Sequence, residues 1–203
     1  MTLTFMAPTA FRSLLRFEPR SRLGLLVAKA ALYLPEDLAL ELVDAIRSTC
    51  LIESSLRLQH QHGRYVDDHG VVSRKVITDA GAAAVVNAFR NTVELETFNF
   101  HGLGTGAGAE AVGNTTLTAE LTTQYSTDNV RPTGVQSAPA ANQYQSVATI
   151  TVDANVSITE HGLFSQAAVP GGTLWDRSLF TALALNSGDS IIATYVATVT
   201  SGG

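Results

Sequence analysis

The sequence predicts a mainly β protein with a minor α part: an antiparallel β-sandwich of jelly-roll-like type, preceded by an N-terminal arm and two helices. Three observations carry that expectation. First, composition changes near residue 97. Residues 1–96 hold 11 basic and 11 acidic residues, whereas residues 97–203 hold only Arg131 and Arg177 against seven acids. Second, that charge-poor half has no lysine but carries 17 Thr and 9 Ser with most of the glycines, the make-up of short strands joined by tight turns. Third, from Thr97 onward the apolar pattern has period two. About six strands with turn signals roughly every ten residues indicate a sandwich or barrel. The expected organisation is an extended arm over 1–34, a helix-containing region over 35–96 and a β-sandwich domain over 97–203.

The arm carries five basic residues and one acid, Glu18. Phe5, Met6, Phe11, Leu14, Leu15 and Phe17 stand as apolar anchors between Arg12, Arg16, Arg20 and Arg22, and Pro8 and Pro19 interrupt regular structure. A segment of this kind lies either on another chain or on this protein's own sheet.

A first helix is expected after Pro35. Glu36 and Asp37 suit the positive end of the helix dipole, and Leu38, Leu42, Val43 and Ile46 fall on one stripe. Cys50, at its end, reads as a small buried hydrophobe. A second helix is expected from Thr78 or Asp79, either of which can cap, to about Asn91, with Val85, Val86 and Phe89 as its buried side. Leu51–Leu58 and Val71–Ile77 are β-prone and would frame a loop over His60–Gly70.

In the second half Phe98 and Phe100 share a face, as do Tyr144, Ala148, Ile150 and Val152. Val156 and Ile158 lead to Gly162, and Leu174–Leu185 is extended. The last strand alternates most clearly, with Ile191, Ala193, Tyr195, Ala197 and Val199 on one side. Pro170-Gly171-Gly172 and Asn186-Ser187-Gly188-Asp189 are turns.

Several function classes lack their signatures. The chain of 203 residues has net charge −5, which leaves no basic surplus for nucleic acid. One cysteine excludes an internal disulfide framework and a cysteine zinc site. No run is apolar enough for a membrane helix, and the arginines interrupt any signal-peptide core. Gly102-Leu-Gly104-Thr-Gly106-Ala-Gly108 loosely fits a dinucleotide fingerprint, but Gly113, Asn114, Thr115 and Thr116 make poor helix material and no Gly-Lys-Ser/Thr follows. A glycine loop over the sheet is the plainer account. His60, His62, Asp67, Asp68 and His69 form the densest set of possible metal ligands, set against a polar loop between strands. No Gly-x-Ser-x-Gly elbow occurs. Glu160 and His161 are adjacent on a strand, so their side chains diverge. Tyr125, Tyr144, Trp175 and Tyr195 are spaced as sheet residues that pack in a core or interface. No catalytic, cofactor or metal site is therefore expected.

A set of short motifs in a specific order points further. Lys75-Val-Ile-Thr-Asp-Ala-Gly81, Phe98–His101, Gly104-Thr-Gly106, Thr116-x-x-x-Glu120-Leu121, Ile158-Thr-Glu160-His-Gly162-Leu-Phe164, Leu174-Trp-Asp176-Arg177-Ser-Leu-Phe180 and Ser187-Gly-Asp189-Ser together resemble virion structural proteins of tailed bacteriophages. The resemblance covers about residues 70–203. It implies a capsid decoration (cement) protein that clamps neighbouring major capsid subunits, often as a homotrimer, assembled in the host cytoplasm and located on the capsid surface. Tail-fibre and baseplate modules, some receptor-binding, are the alternative. Tyr125 with Asp128 and Asn129 is the one grouping suited to a sugar. Under this resemblance the capsid-binding residues of the arm would be Phe5, Phe11, Arg12, Leu15, Arg16, Phe17, Arg20 and Arg22. Glu160 and Arg177 would pair across strands or subunits, Gly162 and Gly188 would permit turns, and Asp189 would hold the turn into the last strand.

Overall fold

The computed structural model describes residues 51–74 and 77–201. The arm, its eight capsid-binding candidates, the first helix and Cys50 lie outside the described residues. Two compact units divide the chain: Glu53–Thr198, and Met1–Ile52 with Val199–Gly203. Of the latter, the described residues open the first strand, close the last and continue to Ser201.

Eight strands and one helix follow in chain order: β1 (Leu51–His62), β2 (Tyr65–Ser73), α1 (Asp79–Phe89), β3 (Phe100–Gly104), β4 (Val135–Ser137), β5 (Gln143–Thr151), β6 (Val156–Phe164), β7 (Leu174–Leu185) and β8 (Ser190–Thr200). They form a five-stranded sheet of order β2-β1-β8-β5-β4 and a three-stranded sheet of order β3-β6-β7. The pairings β1–β2, β4–β5, β5–β8, β3–β6 and β6–β7 are antiparallel. The first, second and last of these join successive strands, whereas β5–β8 and β3–β6 join strands distant in sequence.

β8 shows how the sequence builds the core. Ile191, Ala193, Tyr195 and Ala197 are buried, and the residues between them are half-buried. Val199, assigned to the same face, is 42% exposed. The main apolar cluster takes Leu56 and Leu58 from β1, Leu103 from β3, Ala148 and Ile150 from β5, Ile158 from β6, Leu185 from β7, and Ile191 and Ala193 from β8. Both sheets thus contribute to one core. Its fully buried Leu and Ile side chains are each worth roughly 1.5–3 kcal/mol.

The expected loop over His60–Gly70 is a hairpin instead. β1 runs to His62, Gly63 and Arg64 make a two-residue connection, and β2 starts at Tyr65, opposite His62. Gly63 has φ 59°, the left-handed value that the first central position of a tight hairpin turn favours. β2 lies at the sheet edge with most of its residues exposed, so no apolar alternation marks it in the sequence. Both strands join β8 and β5, and the Glu53–Thr198 unit crosses residue 97, where the composition changes.

α1 begins where the sequence places it. The Thr78 hydroxyl accepts from the Gly81 amide at 3.0 Å and donates to the Leu174 carbonyl at 2.6 Å. A cap of this type contributes about 1 kcal/mol. Its buried face is not the expected one. Gly81 and Ala84 face inward, whereas Val86 is 60% and Phe89 89% exposed. Gly81 is the cause. A Cβ there would lie 2.5 Å from the Trp175 carbonyl oxygen, so the helix seats its smallest residues against β7 and turns its larger ones outward.

Candidate functional site

Arg131 and Arg177 are the two basic residues of the second half, and both are buried to 1% exposure. Burying an unpaired guanidinium is prohibitive, so each needs a full set of acceptors. Arg177 on β7 has them. Its Nε donates to Glu160 Oε2 at 2.9 Å. One terminal nitrogen donates to Ala109 O and Asn114 Oδ1, both at 3.1 Å. The other donates to Gly108 O at 2.9 Å and Thr118 Oγ1 at 2.8 Å. Glu160, on β6 and fully buried, also accepts from the amides of Gly106, Ala119 and Thr118 at 3.1, 2.8 and 3.1 Å. The cross-strand option for Glu160 and Arg177 is the one realised, and the pair ties the 104–119 segment to the small sheet.

Arg131 is held in the same way. It forms a two-point ion pair with Glu120, at 2.5 and 2.9 Å. Its third nitrogen donates to the carbonyls of Gln166, Ala168 and Gly171 at 3.0, 2.9 and 2.9 Å. The guanidinium carbon sits 3.6 Å from the centre of the Phe164 ring, a favourable cation–π position.

The glycine run makes room for these carboxylates. A Cβ on Gly102 would lie 2.7 Å from Glu120 Oε1; on Gly104 or Gly106 it would lie 2.6 or 2.5 Å from Glu160 Oε1. Alternate positions share a face of an extended chain, so one row of glycines borders two glutamates. The run therefore cradles the protein's own anions. Gly162 is also a matter of space: it pairs with Gly102 inside the small sheet, and a Cβ would meet Leu174 and Phe164 at 2.8 Å. This corrects its expected role as a turn. Gly188, with φ 92°, does sit in a turn. There Asp189 accepts from the Asn186 amide at 2.8 Å and pairs with His60 at 3.0 Å.

Two further polar clusters are buried. His101 Nδ1 and His161 Nε2 lie 3.0 Å apart, and His101 Nε2 lies 2.8 Å from Ser146 Oγ. His161 Nδ1 is buried without a partner. A bare acceptor is less costly than a bare donor, so the favoured chain runs from His161 Nε2–H to His101 Nδ1 and from His101 Nε2–H to Ser146. Burial lowers the His101 pKa from 6.5 to about 3, and burial with the neighbouring His101 lowers that of His161 well below 6.5. Neither imidazole is poised to exchange protons near neutrality. Glu160 and His161 diverge, as adjacent strand residues do.

Asp176, fully buried on β7, faces hydroxyl donors: Ser54 at 2.5 Å, Ser178 at 3.1 Å and Tyr195 at 3.4 Å. Trp175 Nε1 donates to Tyr195 Oη at 2.7 Å. Burial outweighs those bonds and raises the Asp176 pKa from 3.8 to about 7.

Tyr125 is 1% exposed, which removes it from the sugar-binding grouping with Asp128 and Asn129. Its hydroxyl accepts from the Leu103 amide at 2.7 Å and donates to the Leu103 carbonyl at 3.1 Å. Tyr125→Phe should cost about 1–3 kcal/mol, because it strands a buried amide. Urea denaturation measures that loss.

The hairpin bearing the possible metal ligands is extended, and His60 and His62 stack with ring centres 5.0 Å apart. Among the described residues, no group of three or more His, Cys, Asp or Glu is arranged to hold a metal. No helix among the described residues is long and apolar enough to cross a membrane. The arginines, glutamates and buried aspartate form closed structural networks, whose chemistry is to fix loops on a sheet. No family profile, characterised protein or solved structure matches the chain. Sequence reasoning did not single out His101, Ser146, Glu120 or Arg131 as site residues. The scarcity of basic residues after Thr97 was the available signal for Arg131.

Proposed function

We propose that the chain is a virion structural protein of a tailed bacteriophage, a capsid decoration protein that clamps neighbouring major capsid subunits as a homotrimer. In this reading the two sheets are the leaves of a displayed β-sandwich and the N-terminal residues are the anchor. The protein is then non-enzymatic, needs no cofactor and acts on the capsid surface. The observation that carries the proposal is the exterior of residues 97–201. Both cations of that stretch are buried in loop-fixing networks, which leaves an exterior of neutral side chains, exposed valines among them, with a few acids. A surface depleted in charge suits close contact between crowded copies. The resemblance of the motif order to tailed-phage virion proteins favours the same reading. Burial of Tyr125 removes the grouping that favoured a sugar-recognising fibre.

Residues 1–34 hold a charge of +4 while the rest of the chain holds −9. Deleting residues 1–34 should leave a folded β unit that no longer co-sediments with undecorated phage heads. Attachment of the full chain should weaken with salt, since exposed charge pairs are screened within about 8–10 Å at physiological ionic strength. Full-strength binding by the truncated chain, with an unchanged melting profile, would remove the arm as anchor.

A further inference from the structure

Because Gly81 and Ala84 take the inward face, α1 presents its larger side chains outward. Ala82, Ala83, Val86 and Phe89 are all exposed, Phe89 at 89%. Positions three, four and seven apart share one side of a helix, so these residues form a continuous stripe without a charge. Charges flank it at the two ends. Asp79 is exposed in the first turn, and Arg90 is exposed at the C-cap. Val112, 55% exposed, lies beside the first turn, where its carbonyl accepts from the Asp79 amide at 2.8 Å.

The order along this stripe is acid, small, medium, large, base. Turned end for end, it is complementary to itself. In an antiparallel pair Asp79 of one copy comes opposite Arg90 of the other. The Phe89 ring comes opposite Ala82 and Ala83, with Val112 beside them, and Val86 comes opposite its own twin. A parallel pair would instead place aspartate on aspartate and phenylalanine on phenylalanine. We propose that α1 is a twofold self-association face on which the helices of two copies pack antiparallel, with the axis near Val86. This inference rests on the helix alone and stands whether or not the protein is a capsid component.

An 11-residue helix is about 16 Å long. One such face falls below the roughly 800 Å² per partner of a stable interface. The contact is therefore weak between free molecules and becomes strong when other contacts hold copies together.

Cross-linking through engineered cysteines tests the pairing on purified protein. Cys50 is the one native cysteine, so Cys50→Ala is the background. Val86→Cys, beside its own twin at the axis, should oxidise to a disulfide dimer well above background, whereas Ala83→Cys, opposite Phe89 and about 9 Å along the axis from its twin, should not. Val66→Cys, on the exposed edge strand β2, should yield only traces. Adding Phe89→Asp should abolish the Val86→Cys dimer without lowering the melting temperature. Swapping the end charges, Asp79→Arg with Arg90→Asp, should preserve it, whereas Arg90→Asp alone should reduce it. The proposal is overturned if Val86→Cys links no more than Val66→Cys, or if Ala83→Cys links as well as Val86→Cys. It is equally overturned if Phe89→Asp leaves the link intact.

Discussion

Arg177→Met should destabilise the fold by roughly 3–5 kcal/mol, the cost of leaving a buried partner charge alone. Glu160 would be left fully buried with three amide donors and no counter-ion. The carbonyls of Gly108 and Ala109, with Thr118 and Asn114, would lose their shared donor. Glu160→Gln should cost a similar amount from the other side, because it keeps the shape and removes the charge. The two losses should not add, since one network is broken in both. Glu160→Gln with Arg177→Met should still fall well short of the unsubstituted protein, because the loop's carbonyls lose the donor that no apolar side chain replaces. Urea denaturation of the three variants measures the coupling. Simple additivity would mean that the clamp does not act as a unit.

The second large effect is on acid stability. Unfolded histidine takes up a proton below about 6.5, whereas folded His101 resists protonation until about 3 and folded His161 is shifted in the same direction. Their stabilisation is thus fully present above pH 6.5 and is lost as pH falls toward 3. Asp176 acts with the opposite sign. Its folded pKa, about 7 against 3.8, means that the folded protein holds a proton the unfolded chain has released. That contribution is complete below 3.8 and is lost as pH rises through 7. Between about pH 5.5 and 4.5 the unfolded chain therefore binds close to two extra protons on the imidazoles and one fewer on the carboxyl. The net of one proton gives a slope of about 1.4 kcal/mol per pH unit. Asp176→Asn removes the opposing group and should steepen the slope to about 2.7 kcal/mol per pH unit. Urea midpoints from pH 7 to 4 read both slopes. Equal slopes for the two proteins would contradict the assignment of Asp176.

The sequence revealed most where one face of an element is wet and the other dry. β8 alternates between core and half-buried positions, and its inward set was legible residue by residue as far as Ala197. Turn chemistry was equally legible: Gly188 and Asp189 do what their types do, and Thr78 caps α1. The Glu160–Arg177 pair was legible because charge is scarce there. Legibility failed where a tertiary contact overrode the local pattern. The inward face of α1 is set by the approach of Gly81 to the Trp175 carbonyl, so the largest residues are not the buried ones. β2 has no dry face to announce it, and polar residues from His60 to Gly70 resemble a loop. Gly102, Gly104 and Gly106 read as a glycine loop over the sheet, and a sequence does not show which groups approach them. Here the groups are Glu120 and Glu160, which lie beyond any local motif. His101 pairs with His161 sixty residues away, a distance no spacing rule covers.

The central claim, a decoration protein on a phage head, is tested most directly by image reconstruction of the particle whose genome encodes the chain, with this protein labelled. The predicted result is label over the whole head, on the order of hundreds of copies, as repeated weak contacts require. Label confined to a few copies on the tail or baseplate, or particles carrying none, would contradict it.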